Sequence, residues 1–89
     1  SPLEIDAVLL KHPAVSEAVC FGIPDEKYGE IVHAAVVLTA EADEQILRKF
    51  CGDHLGAFKV PDVIYIADTL PRTATGKIQR RHVASKFKR

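Results

Sequence analysis

No acidic residue follows Asp68. Residues 71–89 hold seven Lys or Arg, whereas residues 1–70 hold all twelve acids against five basic groups, so formal charges of +7 and −7 cancel to a net charge of zero. Cysteine is scarce too: Cys20 and Cys51 stand 31 residues apart, in neither a CxxC pair nor a cluster with histidine at metal-ligand spacing. That argues against a disulfide framework or a zinc site and for two small buried thiols in a reducing compartment. No apolar run approaches the roughly 20 residues of a membrane helix. No basic-then-apolar segment reads as a signal peptide, so a soluble, intracellular chain without a membrane partner is expected. Nothing repeats, and no stretch is of low complexity.

What is present is the composition of one small globular domain, with 89 residues, 47% hydrophobic and 27% charged. Within these 89 residues no second domain is expected. The chain begins on Ser1 and runs directly into a helical pattern, so it is expected to be a piece of something longer.

Segment 1–13, "SPLEIDAVLLKHP", carries helix punctuation at both ends: Ser1 as N-cap, Pro2 at the first helical position, Glu4 closing a capping box and Pro13 as the stop. Ile5, Val8, Leu9 and His12 share one face, broadened by Leu3, Ala7 and Leu10. Two β-rich runs follow, within "VSEAVCFGIPDEKYGEIVHAAVVLT", on either side of a turn with Pro24, Asp25 and Gly29. A loop of about six residues is expected between them, compatible with an antiparallel pair. Ile31 to Leu38 is apolar except at His33, the pattern of a strand buried on both faces. "EADEQILRKFCGDHL" reads as a second amphipathic helix, with Ile46, Leu47, Phe50, Cys51 and Leu55 on its inner side and Glu44 and Arg48 paired at i,i+4. "DVIYIAD" is a third strand, and a last helix is expected from Lys77 to Phe87. The order α-β-β-α-β-α predicts an α+β fold, a small open β-sheet with flanking helices. His33, Cys20, Phe21 and Phe50 read as core.

The chemistry concentrates in "PRTATGKIQRR". A helix starting at Lys77 would place cations where its dipole is already positive. A phosphate-binding P-loop fails twice, because Pro71 replaces the first glycine of that motif and Ile78 replaces its magnesium-binding Ser or Thr. A nucleic-acid surface would use Arg72, Lys77, Arg80, Arg81, Lys86, Lys88 and Arg89 on a phosphate backbone, yet Phe87 is the one aromatic nearby. A solvated basic helix is a third reading. The fourth is a lysine carried into another domain's active site: Thr73, Thr75 and Gly76 form a loop with few packing demands, Pro71 stiffens its start, and Lys77 projects from the tip toward an anion.

"LPRTATGKIQRR" resembles the C-terminal signature of the adenylate-forming enzymes, which include acyl-CoA synthetases, firefly luciferases and peptide-synthetase adenylation domains. "SPLEID" resembles the segment after that family's interdomain hinge, "HPAVSEAVCFGIPDEKYGE" its Pro-Asp…Gly-Glu hairpin, and "HLGAFKVP" a further element. The four motifs lie in family order and cover essentially the whole chain. One departure is the stretch "VVLTAEADEQIL", where the loop over residues 39–44 is shorter than the family's.

The resemblance implies that residues 1–89 are the C-terminal lid domain of a larger enzyme whose N-terminal domain is its partner and holds ATP, magnesium and a carboxylic acid. Lys77 would stabilise acyl-adenylate formation, supported by Thr73, Thr75 and Gly76. The domain would then turn and present another face, where Gly29 and Glu30 flank the approach of coenzyme A. Arg72, Arg80 and Arg81 would make domain-interface or phosphate contacts. No metal ligand and no nucleic-acid contact is implied for this domain. "PRTATGK" also resembles the family's lysine-acylation context, in which loss of the charge silences the enzyme. "FGIPDEKYGE", "AFKVP" and "GKIQRRHVASKF" resemble the 4-coumarate-CoA-ligase-like branch and its oxalate–CoA ligases. The ending "SKFKR" is not a peroxisomal SKL, so a cytoplasmic location is expected, or a peroxisomal one should the full chain end differently.

Overall fold

A computed structural model describes residues 1–88; Arg89, one of the basic residues named above, lies outside the described residues. Ser1 accepts the Glu4 amide at 3.4 Å and Pro2 occupies the first turn, so α1 (Pro2–Lys11) starts where its punctuation places it. At its end Ala14 N donates to His12 Nδ1 at 3.1 Å, and Pro13 prevents further winding. Ile5, Val8 and Leu9 are buried, but Leu3 is 71% and Leu10 48% exposed. The expected broadening of the apolar stripe fails because α1 packs against β1 and α2 on one side alone. The Glu4 carboxylate is also turned outward, to Lys59 Nζ at 2.7 Å, which lowers its pKa through that hydrogen bond and the attraction of the ammonium.

Strands β1 (Val15–Asp25) and β2 (Gly29–Leu38) form an antiparallel hairpin. Its loop is Glu26–Lys27–Tyr28, three residues in place of the expected six, because pairing continues through Pro24↔Glu30 and Asp25↔Gly29. Pro24 fits inside a strand because β1 lies at the sheet edge, in the order β1-β2-β3. Asp25 Oδ2 accepts the amides of Lys27 and Tyr28 at 3.1 and 2.8 Å, and Gly29 closes the loop with φ +80°. Central strand β2 is buried on both faces at Ala34, Ala35 and Val36.

The chain crosses from β2 through a short connection, with Thr39 N on Ala14 O at 2.8 Å, to α2 (Glu44–Leu55), capped where Asp43 Oδ1 accepts Ile46 N at 2.8 Å. Leu47 and Cys51 are buried, whereas Ile46, expected on the inner side, is half exposed. Strand β3 (Val63–Ala67) then runs parallel to β2, the pairing that a helical crossover permits. Glu44 Oε2 accepts Ile64 N at 2.8 Å and Arg48 Nε donates to Pro61 O at 3.0 Å, which ties α2 to the approach and outer edge of β3.

Helices α1 and α2 cover one sheet face around Leu9, Cys20, Val36, Leu47, Cys51 and Ile64, while α3 (Arg80–Lys86) covers the other around Val19, Phe21, Ala35, Leu70 and Val83. The alternation of Val19 and Phe21 with Ala18 and Cys20 feeds both cores. Each fully buried Leu or Ile contributes about 1.5–3 kcal/mol. Cys20 and Phe21 are core as expected; His33 and Phe50 are half-buried, and Phe50 lies between the rings of His12 and His54, with centroids 4.9 and 4.2 Å away. Among the described residues no helix is long and apolar enough to cross a membrane.

A candidate active-site loop at Lys77

The final helix starts at Arg80, three residues later than its composition suggests. Competing backbone bonds explain the delay: Arg72 and Ile78 form an antiparallel bridge, Thr73 N donates to Lys77 O at 2.7 Å, and Gln79 N donates to Pro71 O at 2.9 Å. Residues 71–79 therefore close on themselves before a helix can begin. Lys77 is not a helix-start residue; Arg80 and Arg81 are.

Within this loop Thr73 is the central bonding group. Its hydroxyl accepts Lys77 N at 3.1 Å and lies 3.0 Å from Thr75 Oγ1, and its carbonyl accepts Gly76 N at 2.9 Å. Gly76 has φ +91°, a conformation that side chains resist, and closes the turn over residues 74–76, so that Lys77 pairs back opposite Thr73 just past the tip. The Lys77 side chain is exposed. Thr75 and Gly76 are exposed, in keeping with few packing demands, whereas Thr73 is half-buried, and the loop is tightly bonded within itself.

Two arginines flank it. Arg72 donates from Nη1 to Gly76 O and from Nη2 to Glu17 on β1. Arg80 donates from Nη2 to Asp6 Oδ2 at 2.8 Å and from Nη1 to Cys20 O, while Asp6 Oδ1 accepts Cys20 N at 2.7 Å. The bond to Asp6 raises the Arg80 pKa against the opposing effect of burial. Burial, and then the Asp6 carboxylate, push the Cys20 thiol up to about 12; its Sγ lies 2.9 Å from Pro2 O. Both arginines thus have acidic partners inside the domain. Part of the charge asymmetry between the two ends of the sequence is neutralised across the fold, which weakens the reading of the basic end as a nucleic-acid surface. Arg81 remains exposed and lines a hollow of about 520 Å³ beneath α3 with Phe87 and Lys88.

Gly29 and Glu30 lie elsewhere. They close the far end of β1, at Asp25, whereas the Lys77 loop is fixed to Glu17 near its beginning. At about 3.3 Å per residue, the eight steps from Glu17 to Asp25 separate the two places by roughly 26 Å. Beside the hairpin opens a hollow of about 660 Å³ lined by Tyr28, Glu30, Phe58, Lys59 and Asp62. Among the described residues, no group of three or more His, Cys, Asp or Glu side chains could hold a metal ion.

Asp6 and Glu17 are the residues that sequence reasoning passed over. An acid set between Ile5 and Ala7, beside the apolar stripe of α1, was the available signal for Asp6. Glu17 gave none.

Residues 4–77, which include this loop as far as its lysine, match the AMP-binding enzyme C-terminal domain family. The chain belongs to that family. It is 55% identical to a probable CoA ligase, CCL9, of Humulus lupulus and 54% identical to an oxalate–CoA ligase of Arabidopsis thaliana, in both cases over 98% of this chain and 17% of the relative. The chain thus spans about a sixth of the length of these curated relatives. Among solved structures, o-succinylbenzoate CoA synthetase of Bacillus subtilis in complex with its acyl-adenylate intermediate superposes with TM-score 0.87 and 38% identity, over 99% of this chain and 18% of that one. The amide bond synthetase McbA of Marinactinospora thermotolerans, as a lysine-to-alanine mutant, reaches TM-score 0.91 at 35% identity over the same shares.

Proposed function

We propose that this C-terminal domain of an AMP-binding enzyme is the mobile lid of an ATP-dependent acid–CoA ligase, with Lys77 acting in acyl-adenylate formation and the Gly29–Glu30 hairpin in the thioester step. The observation that carries the reading is the placement of an exposed lysine on a braced loop at one end of β1 and the hairpin hollow at the other. Two remote working ends on one rigid domain suit a lid that turns between two steps.

In the first step a carboxylate oxygen attacks the α-phosphorus of ATP and pyrophosphate leaves. Like charges approach, and a cation fixed where negative charge accumulates stabilises that arrangement, by about a hundredfold to a thousandfold in rate for one well-placed donor. In the second step a thiol attacks the acyl carbonyl and AMP leaves; rotation would withdraw Lys77 and bring Glu30 beside the incoming coenzyme A. ATP, magnesium and the acid belong to the larger upstream part, and no residue of this domain is assigned to the metal. Arg81 is the arginine best placed for contact with that part, since Arg72 and Arg80 already hold carboxylates. Oxalate is the proposed acid, supported by 54% and 48% identity to oxalate–CoA ligases of Arabidopsis thaliana and Saccharomyces cerevisiae.

The test is to supply the full-length protein with ATP, magnesium, CoA and a panel of carboxylic acids, and to follow AMP and acyl-CoA. Oxalyl-CoA should form fastest. Another preferred acid would remove the oxalate assignment, and no acyl-CoA from any acid would contradict the ligase reading.

A further inference from the structure

The peptide group joining Gly76 to Lys77 is held on both sides. Thr73 Oγ1 takes its N–H at 3.1 Å, and Arg72 Nη1 donates to its carbonyl oxygen. The other guanidinium nitrogen of Arg72 reaches Glu17, across 55 positions of sequence, on strand β1. Lys77 O is itself bonded to Thr73 N at 2.7 Å, so the backbone on both sides of the lysine is fixed.

We propose that Arg72 and Glu17 form a positioning pair for Lys77, bolting the peptide group that bears the lysine to the sheet. This rests on the role given to Lys77 above. The guanidinium fork suits the task because it spans two acceptors in different directions, which a lysine ammonium on a flexible stem does not reproduce. It also sets Arg72 apart from a phosphate contact. Both terminal nitrogens are engaged, and the Glu17 carboxylate neutralises the charge an incoming phosphate would need. The pair acts on rate through geometry: a misplacement of about 1 Å can cost a hundredfold.

The experiment uses the full-length enzyme with Glu17→Ala and Arg72→Lys, each alone and combined with Lys77→Ala. Adenylate formation is followed by pyrophosphate release, thioester formation from supplied acyl-adenylate, and folding by the thermal midpoint. Each single variant should slow adenylate formation by about tenfold to a hundredfold, in kcat and not in KM for ATP. Each should spare the thioester step and add nothing once Lys77 is gone, since a residue acting through another loses its effect with it. A further loss in the Lys77→Ala background would make Arg72 a direct substrate contact and overturn the proposal. Equal losses in both half-reactions, following the thermal midpoint, would reduce the pair to general stability and overturn it too, as would unchanged rates. Lys77→Ala alone separates the two readings: if it leaves adenylation intact, the role of the lysine fails first and takes this pair with it. If it slows adenylation while Glu17→Ala does not, only the pair fails.

Discussion

Arg80 Nη2 lies 2.8 Å from Asp6 Oδ2, joining the first residue of the last helix to the first helix across 74 positions of sequence. The same carboxylate accepts the Cys20 amide, and the same guanidinium donates to the Cys20 carbonyl, so α1, β1 and α3 meet at one part-buried polar junction. Water reaches Arg80, whose side chain is 37% exposed, but scarcely reaches Asp6, at 12%.

Asp6→Ala leaves the buried Cys20 amide and much of the Arg80 guanidinium without an acceptor. The expected loss is about 2–3 kcal/mol, below that of a fully buried pair because solvent relieves part of the arginine's burden. Urea unfolding of the 89-residue chain measures it. Asp6→Asn, which keeps an oxygen for the Cys20 amide, should lose less.

The raised Cys20 pKa gives a pH dependence of definite sign. An unfolded cysteine loses its proton near pH 8.5–9, whereas the folded thiol keeps it up to about 12. Between those limits the folded state binds more protons, so stability falls as pH rises. Its contribution is complete below about pH 8.5 and lost on passing upward toward pH 12. Denaturant midpoints from pH 7 to 11 should show this decline, weakened in Cys20→Ala. Cys51, also raised by burial, contributes in the same direction.

Gly76→Ala should strain the loop without crowding it, because an added Cβ meets nothing within 4 Å while φ stays at +91°. The cost is about 1–2 kcal/mol of local backbone energy. Relief of that strain moves Lys77. Adenylate formation should therefore fall by more than the change in unfolding free energy accounts for, a comparison that half-reaction rates and urea titration supply together.

Glu30→Ala should spare adenylation and slow thioester formation by about tenfold, the scale of one charge-assisted contact. Stability should barely change, since the Glu30 side chain is exposed and its carboxyl rests over Gly22 at the sheet edge. Single-turnover transfer from supplied acyl-adenylate to CoA reads the effect.

Much of this architecture was legible in residues whose physical effect is local. Ser1, Pro2 and Pro13 mark α1 because capping and the missing proline amide act within one turn. The run Ala34 to Val36 marks a central strand because only an element covered on both sides is apolar at every position. Pro24 misled in the other direction. Proline argues for a turn until the strand bearing it is known to be an edge, and edge position is a property of the sheet, not of the segment. The start of α3 was hidden likewise: Lys77, Ile78 and Gln79 suit a helix, but the bridge from Ile78 to Arg72 and the bond from Gln79 to Pro71 prevail. The partners of Arg72 and Arg80 lie 55 and 74 positions away, beyond any local pattern. Lys77 was singled out by motif alone, and the fold adds that its side chain is exposed on a loop whose backbone is held by Thr73 and Arg72.

The most direct measurement of the role given to Lys77 is the pair of half-reaction rates in full-length Lys77→Ala. Acyl-adenylate formation from ATP and acid should fall by about a hundredfold to a thousandfold. Transfer from supplied acyl-adenylate to CoA should proceed at the unmodified rate. Equal loss in both half-reactions, or none in the first, would contradict it.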